Sequence, residues 1–216
     1  EYGSMKDGYR IYRGYRDTGD MREECDVLYD PAEEVGVIRN PLLTSRLFRK
    51  WCIFLPVDAL GWPYILHVQR LVVSDPGIEH PAGIWHRDMF YQNFTTSRPI
   101  AITTLLAIDP VTEDAPLYVI PNSHKREKMP SERNKKLLRL AAGDLLVFDS
   151  ALFHCNGVNR TETRRRSLVT IFSHPMLKQH TDIAGQVKTE SEIEKVIFGL
   201  TTRPHDTDEK YRESKQ

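Results

Sequence analysis

From about residue 64 to residue 173 the chain breaks into short β-rich runs divided by turn residues, and this texture constrains the fold more than any other feature. Tyr64 to Val73 reads as a strand ended by Ser74-Asp75-Pro76-Gly77, a strong turn signal. Pro99 to Ile108 is a buried run closed by Asp109-Pro110, and Leu117 to Ile120 is stopped by Pro121-Asn122-Ser123-His124. Leu137 to Leu140 starts a short strand before the turn Ala142-Gly143-Asp144; Leu145 to Phe148 and Ser167 to Phe172 follow. Strands this short, at this spacing, predict a mainly β fold: an antiparallel sandwich or barrel, of which the double-sheet jelly roll is one closed solution.

The flanks read differently. Residues 1–50 are rich in Tyr, Arg, Asp and Glu and hold neither a period of 2 nor one of 3.6, which predicts loops with one or two short helices. The clearest helix is Asn40 to Phe48, with Asn40 as cap, Pro41 at the first helical position, and Leu43 and Leu47 on one face. Residues 124–136 form a charged, solvated connection. Near the end, Ile193, Val196, Ile197 and Leu200 recur at helical spacing, so an amphipathic helix should cover a sheet face or meet a partner subunit, as in a homo-oligomer. The expected organisation is one domain over residues 1–216: an N-terminal helical and loop region (1–63), a jelly-roll core (64–173), and a C-terminal helix and tail (174–216). A length of 216 residues suffices to bury such a core.

Composition narrows the class of partner. Lys plus Arg equals Asp plus Glu at 30 each, which argues against gripping a nucleic-acid backbone. No run approaches the roughly 18 apolar residues of a membrane span, and Glu1 to Lys6 has no apolar signal region. Three cysteines, Cys25, Cys52 and Cys155, are too few and too irregular for a disulfide framework or a zinc ribbon. A soluble, cytoplasmic protein acting on a small molecule is the expectation.

Within the β region, His86 and Asp88 would point the same way from an extended chain. Alone the pair fits an exposed loop as well as a metal site. Dioxygen chemistry on non-haem iron uses two histidines and one carboxylate on one face of the ion, which leaves positions open for co-substrate and oxidant. The third ligand should therefore be a histidine from a late strand. Of the chain's eight histidines, His154 follows a turn and a buried strand (residues 143–148) and precedes Gly157.

His86-Arg87-Asp88, the later His154 with Gly143-Asp144 before it and Asn159 after it, and Leu117 to Lys125 together resemble the phytanoyl-CoA dioxygenase family of iron and 2-oxoglutarate-dependent oxygenases. The resemblance covers roughly residues 65–173. It implies a jelly roll, Fe(II) held by His86, Asp88 and His154, and 2-oxoglutarate and O2 as co-substrates. The family's 2-oxoglutarate arginine stands eleven residues beyond the second histidine, which is Arg165 here. A planar guanidinium suits a carboxylate, and on a strand Ser167 shares the face of Arg165 while Arg164 and Arg166 face away. A solvated basic patch is the plainer account of the three arginines, and a slip of one residue would exchange their roles.

The implied reaction hydroxylates an unactivated C–H of a small polar metabolite, natural product or glycan, releasing succinate and carbon dioxide. Asp88 argues against the halogenases of the family, which lack this carboxylate. Asn122 departs from the family by replacing the usual glycine before Ser-His. Candidate lining residues are His67 and Gln69 on one strand face, and Trp85, Tyr91, Gln92 and Asn93 around the metal pair; Arg87, between the ligands, should point to the opposite side, with a salt bridge or a substrate contact open to it. Thr103 or Thr104 is placed to touch 2-oxoglutarate. Two rivals remain: a cupin-like metalloenzyme independent of 2-oxoglutarate, and a non-catalytic binding module.

Overall fold

The computed structural model describes residue 5 and residues 7–32, 36–52, 64–89 and 92–202. Among the described residues nine strands build two antiparallel sheets. They are β1 (Tyr9–Tyr12), β2 (Val37–Arg39), β3 (Ile65–Ser74), β4 (Ala101–Ala107), β5 (Leu117–Val119), β6 (Lys136–Leu138), β7 (Leu145–Asp149), β8 (His154–Asn156) and β9 (Arg165–Ser173). The large sheet runs β1-β7-β4-β9-β3-β2 and the small one β6-β5-β8. The two face each other as a jelly roll.

The strands β3, β4, β7 and β9 read as continuous apolar runs because both faces of the large sheet are covered. One face meets the small sheet through Val68, Val72, Leu105, Leu146, Phe148, Val169 and Ile171, which pack with Leu117, Val119 and Leu138. The other carries Leu66, Leu71, Val73, Ile102, Leu106, Leu145, Leu168 and Phe172 beneath Met21 and Cys25 of helix α1 (Gly19–Leu28) and Phe48 and Trp51 of helix α2 (Arg46–Trp51). Side chains alternate between these two cores with period 2.

That alternation is interrupted once. The β3–β9 register shifts between Leu66 and Val68, so His67 is an extra, bulged residue. Beyond it Gln69 points to the helical side, where its amide donates to the Phe48 carbonyl (3.2 Å), and Arg70 points between the sheets. The expectation that His67 and Gln69 line the site assumed an unbroken strand; the bulge exchanges the faces.

Three expectations about the flanks are corrected. The N-terminal region is not only loops and helices: β1 and β2 close the two edges of the large sheet, pairing β7 and β3. At four and three residues they are too short to show a period. The helix over Asn40 to Phe48 is divided. Pro41–Leu43 is a 3-10 turn, and α2 begins at Arg46, where the Ser45 hydroxyl accepts the Phe48 N–H at 3.4 Å. Asn40 is left-handed (φ 51°) and caps nothing; its side chain accepts from Gln69 N and donates to Thr181 instead. The C-terminal helix α4 (Glu192–Ile197), which follows the short helix α3 (Ile183–Gln186), packs half of its apolar stripe, Ile197 and Leu200, against the core beside the fully buried Phe198, but leaves Ile193 60% and Val196 40% exposed.

Candidate metal centre

The three candidate metal ligands singled out in sequence meet in the cleft between the sheets. His86 and His154 face each other as an isolated antiparallel bridge, each backbone N–H donating to the other's carbonyl at 3.0 Å. His86 thus adds a one-residue strand to the edge of β8, and the Asp88 N–H donates to the Ser150 carbonyl at 3.0 Å. One ligating atom from each of His86, Asp88 and His154 lies within 4.8 Å of the other two.

The hydrogen bonds of the imidazoles settle their tautomers. Nδ1 of His86 lies 2.8 Å from the Ile84 carbonyl, and Nδ1 of His154 lies 3.0 Å from the Leu152 carbonyl. A carbonyl only accepts, so both protons sit on Nδ1 and both Nε2 atoms present lone pairs. The 3.7 Å between His154 Nε2 and Asp88 Oδ2 is too long for a hydrogen bond. It suits two ligands facing a shared centre.

Burial opposes ionisation of Asp88, but the two imidazoles, Arg70 and a hydrogen bond from Thr103 outweigh it and hold the carboxyl below its ordinary value. His154 is pushed down to about 4, chiefly by burial and then by His86, so its ring is neutral at neutral pH. An ionised Asp88 and a neutral His154 are protonation states in which these side chains can bind a divalent metal.

A hydroxyl pair stands behind the carboxylate. Thr103 Oγ1 donates to Asp88 Oδ2 at 2.7 Å and lies 2.9 Å from Ser150 Oγ, with both residues fully buried. Thr103 thus braces the Asp88 carboxylate; the sequence reading set Thr103 or Thr104 against 2-oxoglutarate. Thr104 faces the helical side and bonds the Thr170 carbonyl.

Arg165 is 3% exposed, and its NH1 donates to the carbonyls of Ala115 and Pro116 and its NH2 to Ser74 Oγ. It makes no ion pair among the described residues, and Nε is left without a hydrogen bond, as is Ser167 Oγ. Burial lowers the guanidinium to about 10, still protonated at neutral pH. Both side chains line the same cleft as His86, Asp88 and His154. Arg164 and Arg166 point to the other face, where Arg164 pairs with Asp75 (2.8 Å) and Arg166 with Asp26 (2.9 Å) and Asp109 (3.3 Å). The three arginines are thus not one solvated patch.

Turns brace this geometry. Asn122, where a glycine is usual, has φ +63°, a left-handed backbone that asparagine tolerates better than most residues. It leads into Ser123, whose hydroxyl accepts the Phe153 N–H at 2.8 Å, one residue before His154. Asn159 donates to the carbonyls of Ser74 and Thr163 at 2.8 Å, fixing the approach to Arg165.

Other candidates lie elsewhere. Arg87 is buried away from the ligands, donating to the carbonyls of Gln92 and Arg126, with its guanidinium 4.3 Å from the Phe153 ring. Gln92 is buried but bonds the Phe94 carbonyl, Asn93 is exposed, and Trp85 is half-buried without lining the cleft. Tyr91 lies outside the described residues. Sequence reasoning missed Arg70, whose NH1 is 3.5 Å from Asp88 Oδ1, and Ser74, which holds Arg165. A lone charge inside the apolar run of β3 was the available signal for Arg70.

A family model described as phytanoyl-CoA dioxygenase (PhyH) matches residues 14–167. Two uncharacterized proteins, Rv1501 of Mycobacterium tuberculosis and Mb1539 of Mycobacterium bovis, are each 34% identical over 166 residues, covering 70% of this chain and 60% of theirs. The chain thus spans less than two thirds of the length of these relatives. Among solved structures, the non-heme alpha ketoglutarate dependent epimerase SnoN from nogalamycin biosynthesis aligns with TM-score 0.64 at 20% identity, covering 78% of each chain. The carbocyclase SnoK from the same biosynthesis aligns at 0.64 and 12% identity, over 78% of this chain and 81% of its own. EctD from S. alaskensis with bound Fe aligns at 0.65 and 18% identity, over 81% and 75%. At these identities the likeness is one of fold.

Proposed function

The chain belongs to the phytanoyl-CoA dioxygenase family, and from that premise we propose that it is an Fe(II) and 2-oxoglutarate-dependent oxygenase that oxidises an unactivated C–H of a small polar molecule, most simply by hydroxylation. The observation that carries this reading is the trio of ligating atoms within 4.8 Å, with both histidines tautomerically fixed to offer Nε2. The donor set fits ferrous iron: two imidazoles and one carboxylate form a facial triad with open positions. The orphaned Arg165 Nε and Ser167 Oγ fit the far carboxylate of 2-oxoglutarate.

His86, Asp88 and His154 would hold the metal, and Arg165 and Ser167 would hold the co-substrate. Bound there, iron supplies the activation of dioxygen that couples decarboxylation of 2-oxoglutarate, to succinate and carbon dioxide, with oxidation of the substrate. The protein's own contribution is arrangement. Thr103 fixes the Asp88 carboxylate, the carbonyls of Ile84 and Leu152 fix the ring tautomers, and Ser74 with the carbonyls of Ala115 and Pro116 aims the Arg165 fork. Leu105, Val111, Leu117, Phe148 and Val169 form an apolar wall that limits water at the site. The solved neighbours include an epimerase and a carbocyclase, each described as non-heme and alpha ketoglutarate dependent, so hydroxylation is one of several outcomes to test. Product analysis distinguishes hydroxylation from those.

Anaerobic addition of Fe(II) and then 2-oxoglutarate should produce the visible charge-transfer band of the chelate, and admission of air should release succinate. Iron-loaded protein showing neither signal would exclude this function and favour a jelly-roll protein independent of 2-oxoglutarate.

A further inference from the structure

Two arginines stand side by side at the edge of the cleft, and among the described residues they share one carboxylate contact. In the β2–β3 pairing Arg39 lies directly opposite Arg70, so their side chains leave the sheet on one face with Cβ atoms about 5 Å apart. The neighbouring pair on that face, Val37 opposite Val72, lines the metal cleft. Arg39 therefore stands one pleat further along the same surface, exposed at the sheet edge, while Arg70 is half-buried beside Asp88.

Like charges directly opposite on adjacent strands destabilise a sheet. Among the described residues the sole ion pair of either arginine is the 3.5 Å contact of Arg70 with Asp88 Oδ1. The nearby imidazoles of His67 and His180, 6.1 Å apart, add no negative charge. Metal binding would claim Asp88 itself. On the proposed reading of the site, Asp88 and the dianion of 2-oxoglutarate offset the ferrous ion and Arg165, so Arg39 and Arg70 keep two charges without a partner. Since the whole chain balances 30 basic against 30 acidic residues, this excess is local.

We propose that Arg39 and Arg70 form the specificity site for the substrate to be oxidised, and that this substrate carries an oxyanion, a carboxylate or a phosphate monoester, which the two guanidinium groups grip at the cleft mouth. The remainder of the molecule then extends from Arg70 toward Asp88 and the metal, since Arg70 NH1 lies 3.5 Å from Asp88 Oδ1 while Val72 lies opposite Ser167 on the 2-oxoglutarate side. This rests on the oxygenase reading above.

The test uses protein loaded with Mn(II) and 2-oxoglutarate without oxygen, so that binding is read apart from turnover. Calorimetric titrations compare short aliphatic and aromatic carboxylates, the matching phosphate monoesters and the neutral primary amides of the same skeletons. A charge-assisted contact predicts that at least one anion binds roughly tenfold to a hundredfold more tightly than its amide. Arg39→Gln, remote from the metal ligands, should remove most of that preference while leaving the affinities for Mn(II) and 2-oxoglutarate within a few-fold; Arg70→Gln should remove it too, and Arg39→Lys should restore part of it. No anion preference in the wild type, or the same preference in Arg39→Gln, overturns the proposal. Wild-type protein that binds neither Mn(II) nor 2-oxoglutarate would overturn the oxygenase reading, and this one with it. If carboxylates and phosphate esters differ, the tighter class names the anion.

Discussion

The two faces of strand β9 treat the same residue type in opposite ways. On the helical face Arg164 and Arg166 are each engaged by carboxylates, those of Asp75, Asp26 and Asp109, and Arg164 also lies 5.3 Å over the Tyr29 ring. On the cleft face Arg165, between them in sequence, is more deeply buried yet meets only carbonyls and a hydroxyl. A buried cation without an anion is costly to fold around. Its retention points to a ligand that supplies the missing charge, whereas the paired arginines need no purpose beyond holding helix α1 and its neighbouring loops to the sheet.

The largest expected effect tests the centre that the cleft face serves. His154→Ala should reduce Fe(II) affinity by more than the roughly hundredfold that loss of a supporting group costs, and abolish the charge-transfer band. Circular dichroism should stay near wild type, because the bridge to His86 is made by backbone atoms.

The contrast between neighbouring arginines is broken most directly by truncating each in turn. Arg165→Ala should weaken 2-oxoglutarate binding about a hundredfold with iron binding retained, and should leave the urea midpoint unchanged or raised. Arg166→Ala should do the reverse, leaving 2-oxoglutarate affinity unaltered and lowering stability by roughly 1 kcal/mol. If Arg165→Ala lost the iron, or Arg166→Ala lost the co-substrate, the division of labour between the faces would be wrong.

A smaller change is expected from Thr103→Val, which deletes the proton donated to Asp88 and nearly preserves shape. Iron affinity should fall about tenfold, with recovery in Thr103→Ser. Unchanged affinity would show that the Asp88 carboxylate is oriented by the backbone alone.

The smallest effect concerns an ion held for stability. Burial opposes ionisation of Asp144, but the N–H groups of Gly14 and Ala141 and the Arg13 guanidinium overcome it and lower its pKa. A depressed carboxyl stabilises the fold above its ordinary unfolded value and loses that contribution as pH falls through the folded value. Asp144→Asn should therefore cost about 1 kcal/mol at pH 7, measured by urea unfolding, and the gap from wild type should close as pH falls below about 4. Iron and 2-oxoglutarate binding should not change.

Much of this was legible in the residues. Turn signals and apolar runs located β3, β4, β5, β7 and β9, since strands buried on both faces announce themselves by composition. The resemblance of His86-Arg87-Asp88 and His154 to a known ligand set selected the three side chains that the structure brings together. Alternation placed Arg165 and Ser167 on one face and their neighbours on the other. Errors arose where a local rule met a tertiary one. The bulge at His67 inverted the faces of β3, so Gln69 left the site and Arg70 entered it. Stretches of three and four residues gave no period, so β1 and β2 went unseen. The apolar spacing of α4 picked out Ile197 and Leu200, which pack against the core, but also the exposed Ile193 and Val196, and it did not foretell the fully buried Phe198 beyond the helix.

By itself, then, the sequence determined a mainly β fold of short antiparallel strands and, through its resemblance to a known family, the three candidate metal ligands, because both depend on residue type at short range or on a recognisable motif. What the tertiary structure decided was which groups stand behind and around them. Thr103 behind Asp88, Ser74 beneath Arg165 and Arg39 beside Arg70 come from strands far apart in the chain. Their juxtaposition follows from strand order and register, which no local pattern encodes.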